Sequence, residues 1–139
     1  MEGTRFYMTP TQRTMAVLRS RGFTVGRVEQ WIPAARGGFR KDLFGIIDLL
    51  AMNWNITLGV QVCGTAWSEH IKKITTDGEQ AARDWLAHHD RHLELWGWRP
   101  IKRNGRKVAT LRRAMFYVRY PGAPIEVEEF TEPSQNRED

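Results

Sequence analysis

The run Leu43 to Met52 (LFGIIDLLAM) is apolar at every position but one, and the exception is Asp48. An ionised carboxylate among such neighbours costs several kcal/mol of desolvation unless it is paired or coordinates a cation. Two chemistries meet that need: a structural ion pair with one of the chain's arginines, or a metal site. A second apolar run, Thr57 to Cys63 (TLGVQVC), is broken only by Thr57 and Gln61. Both runs read as strands buried on two faces. The linking residues Asn53, Trp54, Asn55 and Ile56 suit a short hairpin loop. If Met52 faces Thr57 across it, Asp48 falls opposite Gln61, with Cβ atoms about 5 Å apart. The Gln61 amide oxygen is a hard ligand of the kind magnesium accepts. Alternation along the strand puts Gln61 and Cys63 on one face and turns Val62 away.

Glu29 is a further carboxylate for the site, or a partner for a base such as Arg27 or Arg36. Asp42 is read as sharing a strand face with Asp48 but lying too far along it, at about 3.3 Å per residue, to share one ion. Lys72 and Lys73, on the helix expected after Cys63, are helpers that could reach in, or ordinary surface charges. Cys63 reads as a small buried hydrophobe. His88, His89, Asp90 and His92 cluster where a helix ends, a position that favours histidine through the helix dipole and does not need zinc. Gly37-Gly38 lacks the following Lys-Ser/Thr of a phosphate-binding loop.

Charge points to the partner. The net charge is +5, yet residues 125–139 hold Glu126, Glu128, Glu129, Glu132, Glu138 and Asp139 against Arg137 alone, leaving +10 on residues 1–124. Gly97 to Arg119 contains Arg99, Lys102, Arg103, Arg106, Lys107, Arg112, Arg113 and Arg119 without an acid. Phosphate is the natural partner of such a run, with Arg36 and Arg40 adding to it, and a merely solvated basic face is the alternative. The acidic stretch 125–139 reads as a C-terminal tail that could lie over the basic surface.

The elements that must position these residues follow from local signals. Thr9 caps a helix from Pro10 to about Arg21, with Gly22 just past its end. Thr24 to Trp31 is strand-like and closes at Pro33, and Ala34 to Lys41 reads as a loop. Ser68 is expected to cap a helix bearing Glu69, His70, Lys72 and Lys73, and Asp77 with Gln80 to form a capping box for another, Gly78 to about His88. His92 to Trp98 and Val108 to Tyr120 read as strands joined through a type I′ turn at Asn104-Gly105, so the basic run maps onto a β-ribbon. Trp96 and Trp98 share a strand face beside it and could touch unpaired bases, although tryptophans are more often core.

At 139 residues the chain has room for one core. The sequence predicts a single α/β domain over 1–124, with a central mixed sheet flanked by helices and a basic C-terminal hairpin, followed by the acidic tail 125–139. No stretch reaches the ~18 apolar residues of a membrane span. Met1 to Met8 has no signal-like apolar core, and Cys63 is the only cysteine, which together predict a reducing, cytoplasmic setting and no membrane partner.

The order of helix, strand, Asp-bearing strand, strand ending in a polar-x-polar triplet and basic helix resembles the PD-(D/E)XK nuclease superfamily, in particular small phage-type members near the Holliday-junction resolvases. The matching residues are Val28-Glu29-Gln30-Trp31, Lys41 to Ala51, and Gly59-Val60-Gln61-Val62-Cys63. The resemblance implies a restriction-endonuclease-like core, DNA as substrate, hydrolysis of its phosphodiester bonds, magnesium with manganese as substitute, and a homodimer. Carried over by position, Asp48 matches the motif aspartate and Gln61 the following acid, with Glu29 and Val62 completing the metal contacts. Cys63 stands where the family has lysine, and Ile47 where it has proline. Either Glu29 supplies a second carboxylate and Lys72 or Lys73 the ammonium group, or the fold binds DNA without cutting it. A basic adaptor for an acidic protein partner is the reading from another class.

Overall fold

The computed structural model describes residues 8–132. Helix α1, Pro10–Ser20, starts at the expected cap: the Thr9 hydroxyl accepts from Gln12 N–H, the Gln12 side chain accepts from Thr9 N–H, and proline takes the first helical position. Gly22, at a φ of 91°, carries the chain out of it. Strand β1 (Thr24–Arg27) follows, and then β2 (Gln30–Ile32) and β3 (Phe39–Lys41), which pair only with each other. The stretch expected as one strand to Trp31 is therefore broken at Val28-Glu29, and the expected loop 34–41 ends in a strand. Together β2 and β3 form a small antiparallel arm.

Strands β4 (Leu49–Met52) and β5 (Thr57–Cys63) form the anticipated hairpin, with Met52 opposite Thr57 and Leu49 opposite Val60. Asn53 closes it by accepting from the N–H groups of Asn55 and Ile56. From β5 the chain crosses through α2 (Trp67–Lys72), a π-helical turn (Lys73–Asp77) and α3 (Glu79–Leu86) to β6 (Arg91–Arg103), which runs parallel to β5. Neither expected side-chain cap forms in this crossover. Ala66, in the left-handed region at φ 58°, begins α2, and the π-helical turn joins it to α3 so closely that Asp77 is already helical.

Strand β6 continues into β7 (Arg106–Tyr117) through Asn104 and Gly105, at φ 52° and 76°, as a type I′ turn requires. The last strand, β8 (Glu126–Glu132), pairs antiparallel with β7. The segment expected to be an acidic tail is thus a sheet strand through Glu132, and residues 133–139 lie outside the described residues. Ile125 and Val127 pack against the core, and the glutamates of β8 meet the arginines of β7, which is why so acidic a segment can be ordered.

The result is an α/β fold with a mixed six-stranded sheet in the order β1-β4-β5-β6-β7-β8. Strand alternation sorts its side chains into two cores. Leu49, Ala51, Leu58, Val60, Trp96 and Leu111 pack with Leu18 of α1 on one face. Ile46, Ile47, Cys63, Leu93, Leu95, Ala114 and Phe116 pack with Ile74 and Ala82 from the crossover on the other. No helix is long and apolar enough to cross a membrane among the described residues.

Candidate metal centre

Leu43 to Ile47 does not extend β4. It forms a tight turn in which Phe44 and Gly45 adopt φ 55° and 77° and Leu43 bridges back to Ile47. Six residues of strand would separate Asp42 from Asp48 by ~20 Å. The turn instead folds the chain back, so that carboxylate oxygens of Glu29, Asp42 and Asp48 all lie within 4.8 Å of one another. The expectation that Asp42 is too distant to join Asp48 is corrected by this turn. Glu29 is carried in by the link between β1 and β2, where Val28 N–H donates to Asp48 C=O at 2.9 Å. These three acids form a cluster that could hold a metal ion.

Asp48 is only 9% exposed. Its backbone N–H donates to Val60 C=O, and its Oδ2 accepts from Val62 N–H at 2.8 Å. Burial raises its carboxyl far above the usual carboxylate range, and Asp42 and Glu29 push it further in the same direction. Burial would also raise Asp42, but hydrogen bonds to Asp48, Lys73 and Gln61 outweigh it and hold Asp42 below its ordinary value. Two aspartates this close share one proton, with Asp48 keeping it and Asp42 ionised.

Gln61, 1% exposed, does not offer the cluster its oxygen. Its Nε2 donates to Asp42 Oδ2 at 3.0 Å and to Ile46 C=O at 3.1 Å, two partners that can only accept. Its Oε1 accepts from Lys73 Nζ and from His70 Nδ1, each at 3.0 Å. Asp42, Ile46 C=O and Lys73 fix the amide orientation, so the expected Gln61 ligand is corrected to a strut that holds Asp42 in place. Because an amide oxygen only accepts, His70 carries its proton on Nδ1. Burial, and then Lys73, lower the His70 pKa. Val62 meets the cluster through its N–H to Asp48 and not as a ligand.

Of the two lysines expected to reach in, Lys73 does so and Lys72 does not. Lys73 Nζ lies 2.7 Å from Asp42 Oδ2, whereas Lys72 is exposed on α2. The π-helical turn that starts at Lys73 sits directly over the acidic turn. A Cβ on Gly78, at its end, would come 2.4 Å from Ile46 Cγ2, so glycine is what lets the two turns touch. Cys63, 2% exposed, donates Sγ–H to Thr65 C=O, and burial pushes its thiol pKa up, as a structural cysteine requires.

Against known protein families, curated proteins and solved structures, the chain has no match.

The basic run divides into two parts. At the hairpin end Arg99, Lys102, Arg106 and Lys107 are exposed, and the Arg103 side chain lies outside the described part. Nearer the core the arginines are engaged. Arg113 bridges Glu94 and Glu132 at 2.7 and 2.6 Å, and Arg112 pairs with Glu129 at 2.8 Å while its guanidinium covers Trp67. These two, expected among the phosphate contacts, are neutralised by the acids that make β8 and β6. Arg40 pairs with Glu29 at 3.0 Å, and Arg36 is exposed at the tip of the β2–β3 arm. Trp96 is buried, with its indole N–H on Glu94, and Trp98 donates to Thr14 Oγ1, so neither is a stacking surface. Glu29, Asp42 and Asp48 are the one metal-competent cluster among the described residues, which leaves His88, His89, Asp90 and His92 outside any such group.

Proposed function

We propose that the protein is a metal-dependent endonuclease of the PD-(D/E)XK kind, hydrolysing phosphodiester bonds of DNA. Glu29, Asp42 and Asp48 would hold Mg2+, with Mn2+ as a substitute. The observation that carries this reading is a lysine and three carboxylates drawn together from three separate segments of chain, with Lys73 Nζ 2.7 Å from Asp42. Lys73, from the crossover, takes the part of the ammonium group that position 63 lacks.

The donor set fits a hard divalent cation: all three donors are carboxylates, and their crowding is relieved by a proton on Asp48, by Lys73 on Asp42 and by Arg40 on Glu29. When bound, such an ion supplies positive charge for the attacked phosphate and a lowered pKa for water. The chain's own groups do the rest. Lys73, half-exposed and already hydrogen-bonded to the cluster, can donate to a phosphate oxygen. Gln61 holds Asp42 and Lys73 at fixed spacing, and His70 completes that support at the amide oxygen. Arg99, Lys102, Arg106 and Lys107 provide the positive surface for the sugar-phosphate backbone.

A nicking assay on plasmid and branched DNA with magnesium or manganese tests this, with Asp48→Asn as control. Cleavage lost in the variant is expected; cleavage that persists in it defeats the assignment. The glutamine at position 61 favours a second reading, a nuclease fold that binds DNA without cutting it. Wild-type protein that binds and never nicks would select that reading.

A further inference from the structure

The ladder of the β2–β3 arm pairs Gln30 with Lys41, Trp31 with Arg40 and Ile32 with Phe39. One step inward the same register sets Glu29 opposite Asp42. Because side chains alternate along a strand and opposed residues share a face, Glu29, Asp42, Trp31 and Arg40 lie on one face of the arm. The Trp31–Arg40 pair stands two residues, about 7 Å, from two of the three clustered carboxylates.

Trp31 is 57% exposed, less than Trp54 in the β4–β5 loop but far more than the buried Trp96. It is nevertheless held. A Cβ on Gly38 would lie 2.8 Å from Trp31 Cζ2, 3.0 Å from its Cε2 and 2.7 Å from the Ile32 carbonyl oxygen, so the ring rests on the bare backbone of a residue at φ 114°. One side of the indole is thus backed by the arm itself while much of the ring faces solvent. Around it the arm, Gln30 to Lys41, contains no acid; Arg36 is exposed at its tip, Arg40 is paired with Glu29, and Lys41 is exposed on the opposite face.

We infer that this arm binds an unpaired nucleotide, its base stacked on Trp31 and its phosphate beside the exposed Arg36 at the tip, so that the neighbouring carboxylates receive an unpaired strand. The inference rests on the nuclease reading only for what happens at those carboxylates. Stacking needs an accessible base face, which a single strand, flap or junction offers and the interior of a duplex does not. The positive charge selects a polyanion over an apolar protein segment as the occupant.

The test is binding by the full chain in EDTA, where cleavage plays no part. The probes are oligodeoxythymidylate, oligouridylate of equal length, and a closed hairpin duplex. Trp31→Ala is expected to weaken binding of single strands roughly tenfold or more, with Trp31→Phe retaining most of it and duplex binding unchanged. Part of the wild-type tryptophan fluorescence should be quenched by oligodeoxythymidylate, and that part should vanish in Trp31→Ala. A loss on either single strand supports the inference, and the larger loss tells DNA from RNA. Equal losses on all three probes, or no loss on single strands, overturns it, as does a Trp31→Ala effect confined to self-association in sedimentation. Circular dichroism of both variants shows that the fold is kept. Nicking that survives beside unchanged single-strand binding in Trp31→Ala sinks the inference and leaves the nuclease reading. Trp31-dependent binding by a protein that never nicks does the reverse.

Discussion

Lys73 Nζ sits between Asp42 and Gln61, 2.7 Å from the carboxylate oxygen of one and 3.0 Å from the amide oxygen of the other. It is the positive group hydrogen-bonded to Asp42, as Arg40 is to Glu29, and it arrives from a π-helical turn 31 residues after Asp42. Removing it separates chemistry from ion binding. Lys73→Met should lower nicking by about a hundredfold or more. Divalent-ion affinity by calorimetry should stay the same or rise, because the site loses a cation. Lost activity together with lost ion binding would show that Lys73 only maintains the local structure.

The shared proton makes a prediction about pH. Asp48 is raised to about 8, so as pH climbs past the ordinary carboxylate range the unfolded chain ionises before the folded one, and stability falls between about pH 4 and pH 8. Asp42 works oppositely: its lowered value adds stability that is present above about pH 4 and is lost as pH falls further. Thermal melts without metal should therefore decline from pH 5 to pH 8. Asp48→Asn should flatten that decline and melt about 5 °C higher at pH 8. Manganese should stabilise the wild type more at pH 8 than at pH 5, and a melt insensitive to pH in this range would refute the picture of one proton held by two aspartates.

Gln61→Glu restores an acid at the position where the nuclease motif has one, and it should nevertheless harm the fold. Glutamate cannot donate to Asp42 Oδ2 or to Ile46 C=O, and it brings a further negative charge beside the cluster. Urea titration at neutral pH should show a loss of about 2 kcal/mol. A more stable variant would mean that the amide is not the strut described.

Arg113 and Lys107 lie on the same basic strand and should behave differently. Arg113 serves Glu94, which is 5% exposed, and Arg113→Ala should cost about 3 kcal/mol of stability by leaving that acid unpaired. Lys107→Ala should change stability by no more than about 0.5 kcal/mol and reduce the salt dependence of DNA binding by about one phosphate contact. Denaturation and binding titrations at several salt concentrations check both.

Gly78→Ala tests the contact between the two turns. The added methyl meets Ile46 Cγ2 at 2.4 Å, and the overlap should cost about 1–3 kcal/mol. Because Ile46 also accepts from Gln61, cleavage should fall with stability. Full activity in the variant would show that the π-helical turn can shift without moving Lys73.

Where a signal is local, the sequence carried it. Thr9, Pro10 and Gly22 mark α1, Asn104-Gly105 marks the long hairpin, and a four-residue loop sets Met52 against Thr57. Asp48 stood out because its neighbours are apolar. Asp42 was missed because LFGII has the composition of a strand, and its turn needs Phe44 in a backbone region that phenylalanine seldom occupies; Gly45 was the faint clue. The orientation of Gln61 was illegible, since it depends on Lys73 arriving from another element. Strand β8 was hidden by its charge, and the alternation of Ile125 and Val127 was the pattern that could have disclosed it.

Strand β8 has one more consequence. With β1 it is one of the two edge strands of the sheet among the described residues, and an edge strand is where a second copy could add itself by backbone pairing. Glu126, Glu128, Glu129 and Glu132 line it, so a second copy pairing there would bring like charges together. The glutamates that quiet the arginines of β7 thereby also discourage the sheet from growing into its neighbour, so a deletion of this strand should reveal itself first as aggregation.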